Sequence, residues 1–278
     1  MNNAPKILPG PFRWVGAKNR MRSKIAPILE ETRRGRPVYV EPFGGSAAML
    51  LALEPVKLEI YNDADGRLAD FFRALADDEA LEKMKRFAAA FPQSREIYDE
   101  MKRDWVKSPE LAKRGFATFY VQSFSFGGKP FAAFGIARKI HTNHDHNPPA
   151  MYRRRVDRLD EYAARFRFTC VESLDWRQCV DKYDSEQAFF YVDPPYFGKQ
   201  QGFYCRDLPM VDHAALVETL LSLRGGVALS CYSNDVYTPL ERAGWKRYDF
   251  EASSSVRYPT NNLGDSRKRV ETLYVKPC

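Results

Sequence analysis

Short apolar runs, each ended abruptly by turn residues, recur near both ends of the chain. Between them lies a long stretch that reads mainly as helices. Ile25–Glu31 predicts a short helix. Val38–Val40 predicts a strand running into Glu41-Pro42-Phe43-Gly44-Gly45-Ser46, and Ala47–Leu53 a small apolar helix directly after it. Lys57–Tyr61 predicts a second strand ending in Asn62-Asp63-Ala64-Asp65. A β-loop-α-β order of this kind opens a doubly wound α/β fold. The pattern then changes. From about Arg67 to Phe126 it is helical, with helices over Leu81–Phe91 and Ser94–Val106. The stretch from Gly127 to Pro149 is irregular, and Tyr152–Arg165 predicts one strongly basic helix. Strands resume at Phe168–Val171 and continue at Ala188–Val192, Val227–Ser230, Trp245–Phe250 and Thr272–Val275. The helix Asp212–Leu223 is expected to start with Asp212 as its N-cap. The reading is a catalytic α/β domain over 1–66 and 168–278, interrupted by a mainly helical insertion over 67–167.

Bulk properties narrow the setting. A chain of 278 residues can form one large domain or a domain with a sizeable insertion. The first apolar residues are broken by Lys6, Pro9 and Arg13, unlike a signal peptide. No stretch is long and apolar enough to span a bilayer. The five cysteines are odd in number, scattered and without a CxxC pair, which predicts reduced thiols in a cytoplasmic protein. The net charge of +7 points to an acidic partner, and its location sharpens that. Residues 67–167 hold 20 Lys+Arg against 14 Asp+Glu, and residues 129–167 hold 9 against 4. A basic segment concentrated inside the chain favours nucleic acid over a merely solvated face.

Candidate chemistry centres on Asp193-Pro194-Pro195-Tyr196, which follows the apolar run Ala188–Val192. In an open α/β sheet, ligands sit outside the carboxyl ends of the strands, so Asp193 is expected at the lip of a pocket. The two prolines have no N–H and leave carbonyl acceptors, and Tyr196 adds a flat ring. That set suits a planar substrate carrying an amino group; the bland alternative is a strand end with a turn. Gly44-Gly45, between the first strand and the expected helix, lets the backbone approach a ligand closely. Asp63 lies about 20 positions further on, the spacing of a ribose-binding acid in adenosine-type cofactor sites. The chain has neither GxGxxG nor GxxxxGK[ST], which argues against a dinucleotide site and a P-loop.

Taken in order, Trp14-Val15-Gly16-Ala17-Lys18, Phe43-Gly44-Gly45, Asn62-Asp63-Ala64-Asp65 and Asp193-Pro194-Pro195-Tyr196 resemble the Dam-type, D12 class DNA adenine-N6 methyltransferases. Leu229-Ser230 with Asn234 and the terminal Arg267–Leu273 stretch are smaller echoes. The resemblance implies a Rossmann-like, mostly parallel seven-stranded methyltransferase sheet with an inserted target-recognition domain. It implies S-adenosyl-L-methionine as methyl donor and double-stranded DNA as substrate, with no obligatory protein partner. By position, Trp14, Lys18, Glu41, Phe43, Gly44, Gly45, Asp63 and Asp193 correspond to its cofactor contacts. Asp193, Pro194, Pro195 and Tyr196 correspond to its catalytic motif. Arg13 falls at a position that is commonly basic and near DNA. Ala17 stands where the family usually has a second glycine, and Ala132-Ala133 where it typically has an Asn-Val-Pro-type stretch, so GATC specificity is not carried over.

Several groups carry weaker expectations. Lys129, Arg138, Lys139, Arg153, Arg154, Arg155 and Arg158 are expected to meet DNA phosphates, against the alternative of a solvated face. His141, His144, His146 and Asp145 favour phosphate contact or solvation over a metal site. Phe119, Tyr120, Phe124 and Phe126 read as helix core, one of them able to wedge against bases. An N4-cytosine methyltransferase more often has Ser in place of Asp193. The other rivals are an RNA adenine methyltransferase and a catalytically inactive nucleic-acid-binding protein on the same fold.

Overall fold

The computed structural model describes residues 8–16, 18, 21–135, 147–196, 210–253 and 268–277. Arg138, Lys139, His141, His144, Asp145 and His146 therefore lie outside the described residues. Helix α1 (Arg22–Thr32) precedes β1 (Val38–Glu41) and β2 (Leu58–Asn62). A run of helices follows β2: α2 (Gly66–Ala76), α3 (Asp78–Ala90), α4 (Arg95–Arg103), α5 (Leu111–Phe124) and α6 (Pro148–Val156). Then come α7 (Leu159–Phe166), β3 (Thr169–Glu172), α8 (Trp176–Tyr183) and β4 (Ala188–Val192). The chain finishes with α9 (Met210–Ser222), β5 (Gly226–Tyr232), α10 (Thr238–Arg242), β6 (Lys246–Ser253) and β7 (Lys268–Val275).

The strands form one seven-stranded sheet in the order β3-β2-β1-β4-β5-β7-β6. β1 to β5 run parallel to one another, and β7 runs antiparallel to both β5 and β6. β1 and β4 pair in the middle, with Val38 opposite Ala188 and Val40 opposite Phe190. From β1 the chain builds the sheet one way, through β2 and β3; from β4 it builds the other way. The crevice beyond the carboxyl ends of those two strands is the switch point at which such sheets bind ligands. Glu41 ends β1 and Asp193 directly follows β4.

Alternation along the strands splits the interior in two. Tyr39, Tyr61, Phe189 and Tyr191 face one core together with Leu29, Phe71, Phe72, Phe119 and Phe166. Val40, Ile60, Phe190 and Val192 face the other, with Trp176, Leu216, Leu220, Leu240 and Trp245. All five residues of β4 are buried, as a strand covered on both faces requires. The helices between β2 and β3 rest on the first face through a continuous run of rings. The Tyr61 and Phe72 centroids are 4.5 Å apart, and those of Phe72 and Phe166 are 4.2 Å apart. Capping sets where several of these helices begin: Asp77 accepts from the Ala80 N–H, Asn147 from Ala150 and Asp175 from Arg177.

Four expectations about local structure are corrected. Ala47–Leu53 is a series of turns with one 3-10 turn at Leu50–Ala52, because Gly45 and Ala47 both take positive φ, 52° and 54°. The basic helix is two helices, α6 and α7, since Arg158 between them leaves helical dihedrals (φ −106°, ψ 6°). Asp212 lies inside the first turn of α9, not at its cap. Phe119, Tyr120 and Phe124 are buried, but Phe126 is 62% exposed on the tight turn Phe126–Gly128. Among the described residues, no helix is long and apolar enough to cross a membrane.

Candidate active site

A cavity of about 320 Å³ opens at the switch point, within the size range of small-molecule sites. Its walls come from the loops after β1, β2, β3 and β4 and from the segment before α1. Trp14, Lys18, Glu41, Phe43, Gly44, Gly45, Asp63, Asp193, Pro194, Pro195 and Tyr196 all line it. The structure thus brings the sequence-predicted cofactor and catalytic positions to one cavity, although they are dispersed over most of the chain.

The loop after β1 is held from below by β2. Gly44 N–H donates to the Asn62 carbonyl at 2.8 Å, and Tyr61 Oη donates to the Gly45 carbonyl at 2.7 Å. A Cβ on Gly44 would fall 2.2 Å from the Tyr61 ring, so no side chain fits there. Asp63 joins two loops: Oδ2 accepts the Gly45 N–H at 2.9 Å and Oδ1 accepts the Asp65 N–H at 2.8 Å. The Gly44 and Gly45 N–H groups are therefore already bonded within the protein. Burial raises the Asp63 carboxyl to about 6, and those two N–H donors pull the other way. Glu41 is buried deeper. Desolvation raises it to about 8, although the Tyr39 hydroxyl donates to its Oε1 at 2.8 Å and opposes the shift.

Asn62, buried at the end of β2, ties the third loop in. Its Nδ2 donates to the Pro42 and Leu174 carbonyls at 2.9 and 3.1 Å, and its Oδ1 accepts the Leu174 N–H at 2.8 Å. Behind Leu174, the start of α8 supplies Trp176, whose ring stands 6.1 Å from Phe43. The Arg177 guanidinium lies 4.4 Å from the Trp176 ring centroid and binds Asp212 at 2.6 Å. Asp175, Trp176, Arg177 and Asp212 line the cavity too. Sequence reasoning missed them; an Asp-Trp-Arg run just after a strand was the available signal.

At the other end, Lys18 Nζ donates to both oxygens of Asp193, at 2.7 and 2.6 Å. It also lies 3.0 Å from Glu271 Oε1 and 4.8 Å from the centroid of the Tyr196 ring. Burial works against charge on Lys18, yet Asp193 and Glu271 outweigh it and hold the ammonium well above its ordinary value. Burial raises the Asp193 carboxyl, with Lys18 opposing. The Tyr196 hydroxyl bonds Glu271 Oε1 at 2.6 Å and Ser230 Oγ at 2.8 Å.

Beside the cavity mouth, Arg13 is exposed, and its carbonyl accepts from Gln122 Nε2 at 2.7 Å. The same nitrogen donates to the Gly128 carbonyl at 3.0 Å, and Val15 N–H donates there as well. The Phe126–Gly128 turn is thereby fixed against the Arg13–Val15 segment. Arg155 on α6 faces the charge of Arg13. Desolvation and that repulsion lower it to about 10, while Tyr162 opposes. Arg158 faces Tyr162 as well. Arg154 is exposed and Lys129 half-buried, whereas Arg153 donates to the Ala88 carbonyl at 2.7 Å.

A mostly parallel seven-stranded sheet with one antiparallel strand and an acidic cavity at its switch point is consistent with a methyltransferase fold. Residues 14–224 match the D12 class N6 adenine-specific DNA methyltransferase family, and the chain belongs to it. It is an enzyme of DNA adenine-N6 methylation, in a family whose methyl donor is S-adenosylmethionine. No curated protein matches the chain.

Proposed function

We propose that this cavity takes S-adenosylmethionine between the loops after β1 and β2, and that Asp193-Pro194-Pro195-Tyr196 receives an adenine turned out of double-stranded DNA. The observation that carries the reading is the meeting of Asp193 with the Gly44–Gly45 and Asp63 loops around one cavity. The lining fits such a cofactor. Asp63, Asp65 and Asp193 favour a ligand with cationic sulfonium and ammonium groups, Glu41 offers a buried polar wall beside them, Asp63 reaches ribose hydroxyls, and Phe43 with Trp176 offers apolar faces for a purine. Ser46 Oγ, buried on the wall, has no hydrogen-bond partner among the described residues and is available to a ligand.

When bound, the cofactor supplies an electrophilic methyl on sulfur. The protein's own groups prepare the acceptor. An adenine amine is a poor nucleophile because its lone pair is delocalised into the ring. Hydrogen bonds from N6 to an Asp193 oxygen and the Pro194 carbonyl localise that pair on nitrogen. Each carboxylate oxygen has two acceptor positions, so Asp193 serves N6 while still paired with Lys18. With N6 so held, transfer to it from a bound sulfonium would be direct, and the N6 proton would pass to solvent once the Asp193 and Pro194 acceptors had localised the lone pair. Positioning and electrostatics do this work, with no covalent intermediate on the protein. A base inside a duplex cannot reach the cavity, so it leaves the stack, and Tyr196 lies against its ring.

The helices over 67–167 with the loops around Phe126 and Lys129 form the proposed recognition region. Arg13, Lys129, Arg154, Arg155 and Arg158 offer cations to phosphates, as do Arg138 and Lys139 by sequence; Arg153, tied to Ala88, serves helix packing first. The test is to express the protein with a plasmid and map modified bases by long-read sequencing, beside labelled-methyl transfer to duplex DNA, single strands and RNA. N6-methyladenine at a defined motif and a preference for duplex are expected. Methylcytosine, or no transfer, overturns the reading.

A further inference from the structure

Glu271 has no part in the mechanism above, yet it stands among its central groups. It projects from β7, opposite Tyr232 on β5, and is 6% exposed. Its Oε1 accepts from the Tyr196 hydroxyl at 2.6 Å and from Ser230 Oγ at 3.2 Å, and lies 3.0 Å from Lys18 Nζ. The Tyr232 ring buttresses Tyr196 at 4.6 Å, edge to face. A buried carboxylate is a poor device for stability alone, because apolar residues of similar volume do as well or better. What this one provides is geometry: it connects the two side chains that frame Asp193.

We propose that Glu271 is a positioning residue for methyl transfer, fixing the Tyr196 ring through its hydroxyl and sharing the Lys18 ammonium with Asp193. Without Glu271, Lys18 has Asp193 as its one carboxylate partner among the described residues. The ammonium then binds Asp193 more tightly and competes with the substrate amine for the same oxygens. Tyr196 keeps Ser230 but loses the charged acceptor that sets the tilt of its ring. Both effects fall on the transfer step and not on cofactor capture, since Glu271 is absent from the cavity lining.

The proposal rests on the adenine-N6 reading, and wild-type protein is assayed alongside the variants: no transfer there sinks that reading, not the role of Glu271. Single-turnover transfer at saturating DNA and S-adenosylmethionine is measured for Glu271→Gln, Glu271→Ala, Tyr196→Phe and the double variant Tyr196→Phe with Glu271→Ala. Cofactor affinity and melting temperature are measured on the same samples. Glu271→Ala should lower the rate about tenfold or more, the scale of a hydrogen bond to a charged group. Its cofactor dissociation constant should stay within about twofold of wild type, because Glu271 does not line the cavity and reaches it only through Lys18 and Tyr196. Glu271→Gln, which keeps an acceptor for Tyr196 but offers Lys18 no charge, should fall in between. The double variant should lose less than the product of the single losses, as for residues acting through one another. A wild-type rate in Glu271→Ala, strictly multiplicative losses, or a loss matched by weaker cofactor binding overturns the proposal. Should Glu271→Ala not fold, Tyr196→Phe and Glu271→Gln decide: a wild-type rate in either overturns it.

Discussion

Replacing Asp63 by alanine separates binding from stability in a way the structure allows to be worked out. Its carboxylate accepts two backbone N–H groups, from Gly45 and Asp65, so alanine leaves two donors without their partner. Each such loss costs about 1–3 kcal/mol. Against that, the half-buried carboxyl sits at about 6 where its ordinary value is 3.8. Keeping it ionised at neutral pH costs the folded state about 1–2 kcal/mol, discounted for its contact with the open cavity. Alanine removes that cost, so the net loss of stability at pH 7 should be about 0–5 kcal/mol, smaller than the two lost contacts alone imply. Cofactor affinity has no such offset. It loses a charged acceptor for ribose and the bracing of the Gly45 loop, and should fall about 10- to 100-fold. The sign of the pH effect is distinctive. A raised folded-state value means that the folded protein binds the proton more tightly. This component of stability is therefore absent well above pH 6, grows as pH falls through 6 and is complete below 3.8. Calorimetric titration with S-adenosylmethionine at pH 7 and thermal melts between pH 7 and 5 test both halves. Unchanged affinity refutes the ribose assignment, and identical pH profiles for variant and wild type refute the electrostatic argument.

Three further outcomes are expected. Asp193→Ala should lower single-turnover transfer by at least about 100-fold, the cost of removing a preorganised electrostatic partner; near wild-type rates would exclude it as the amine acceptor. Arg154→Ala should reduce the slope of log affinity against log salt by about 0.9, one phosphate contact, and leave the methylated motif unchanged. An unchanged slope in salt titrations would make this exposed arginine a solvated one. Phe126→Ala should weaken transfer to paired duplex by about 1–3 kcal/mol, the scale of one base–aromatic contact, and have less effect when the target adenine is mismatched. Equal losses on the two substrates, measured side by side, would show that Phe126 does not enter the stack.

The β4 run was legible because its five residues are buried on both faces, so the sequence reads as an unbroken apolar stretch closed by two prolines. The loops that follow β1 and β2 were legible for a similar reason: strand ends leave acidic and glycine residues in plain view. The helix expected at Ala47–Leu53 failed because positive φ at Ala47 is set by its surroundings and is not signalled by an alanine. The single basic helix failed at Asp157–Arg158, where neither glycine nor proline marks the break. Glu271 was read only as part of a terminal echo, since its partners Lys18 and Tyr196 are far from it in sequence. Phe126 was grouped with the core rings of α5, and only its place after the helix end turns it outward.

Lys18 precedes the first helix and Glu271 belongs to the last strand, yet their charged atoms are 3.0 Å apart. A growing polypeptide exposes the loops after β1 and β2, then the helices between β2 and β3, then Asp193, well before that strand has been synthesised. Proteins of this size begin to fold during synthesis, so the earlier parts can assemble while the later ones are still missing. In such an intermediate, Asp193 is the one carboxylate among the described residues left to pair with Lys18, and the Tyr196 hydroxyl lacks its carboxylate. A prematurely terminated chain that ends before β7 would therefore keep the loops around Asp63 and Asp193 while lacking the Lys18–Glu271 and Tyr196–Glu271 contacts. The Lys18–Glu271 contact thus joins a segment made before the first helix to one made in the last strand, and it forms only once both exist.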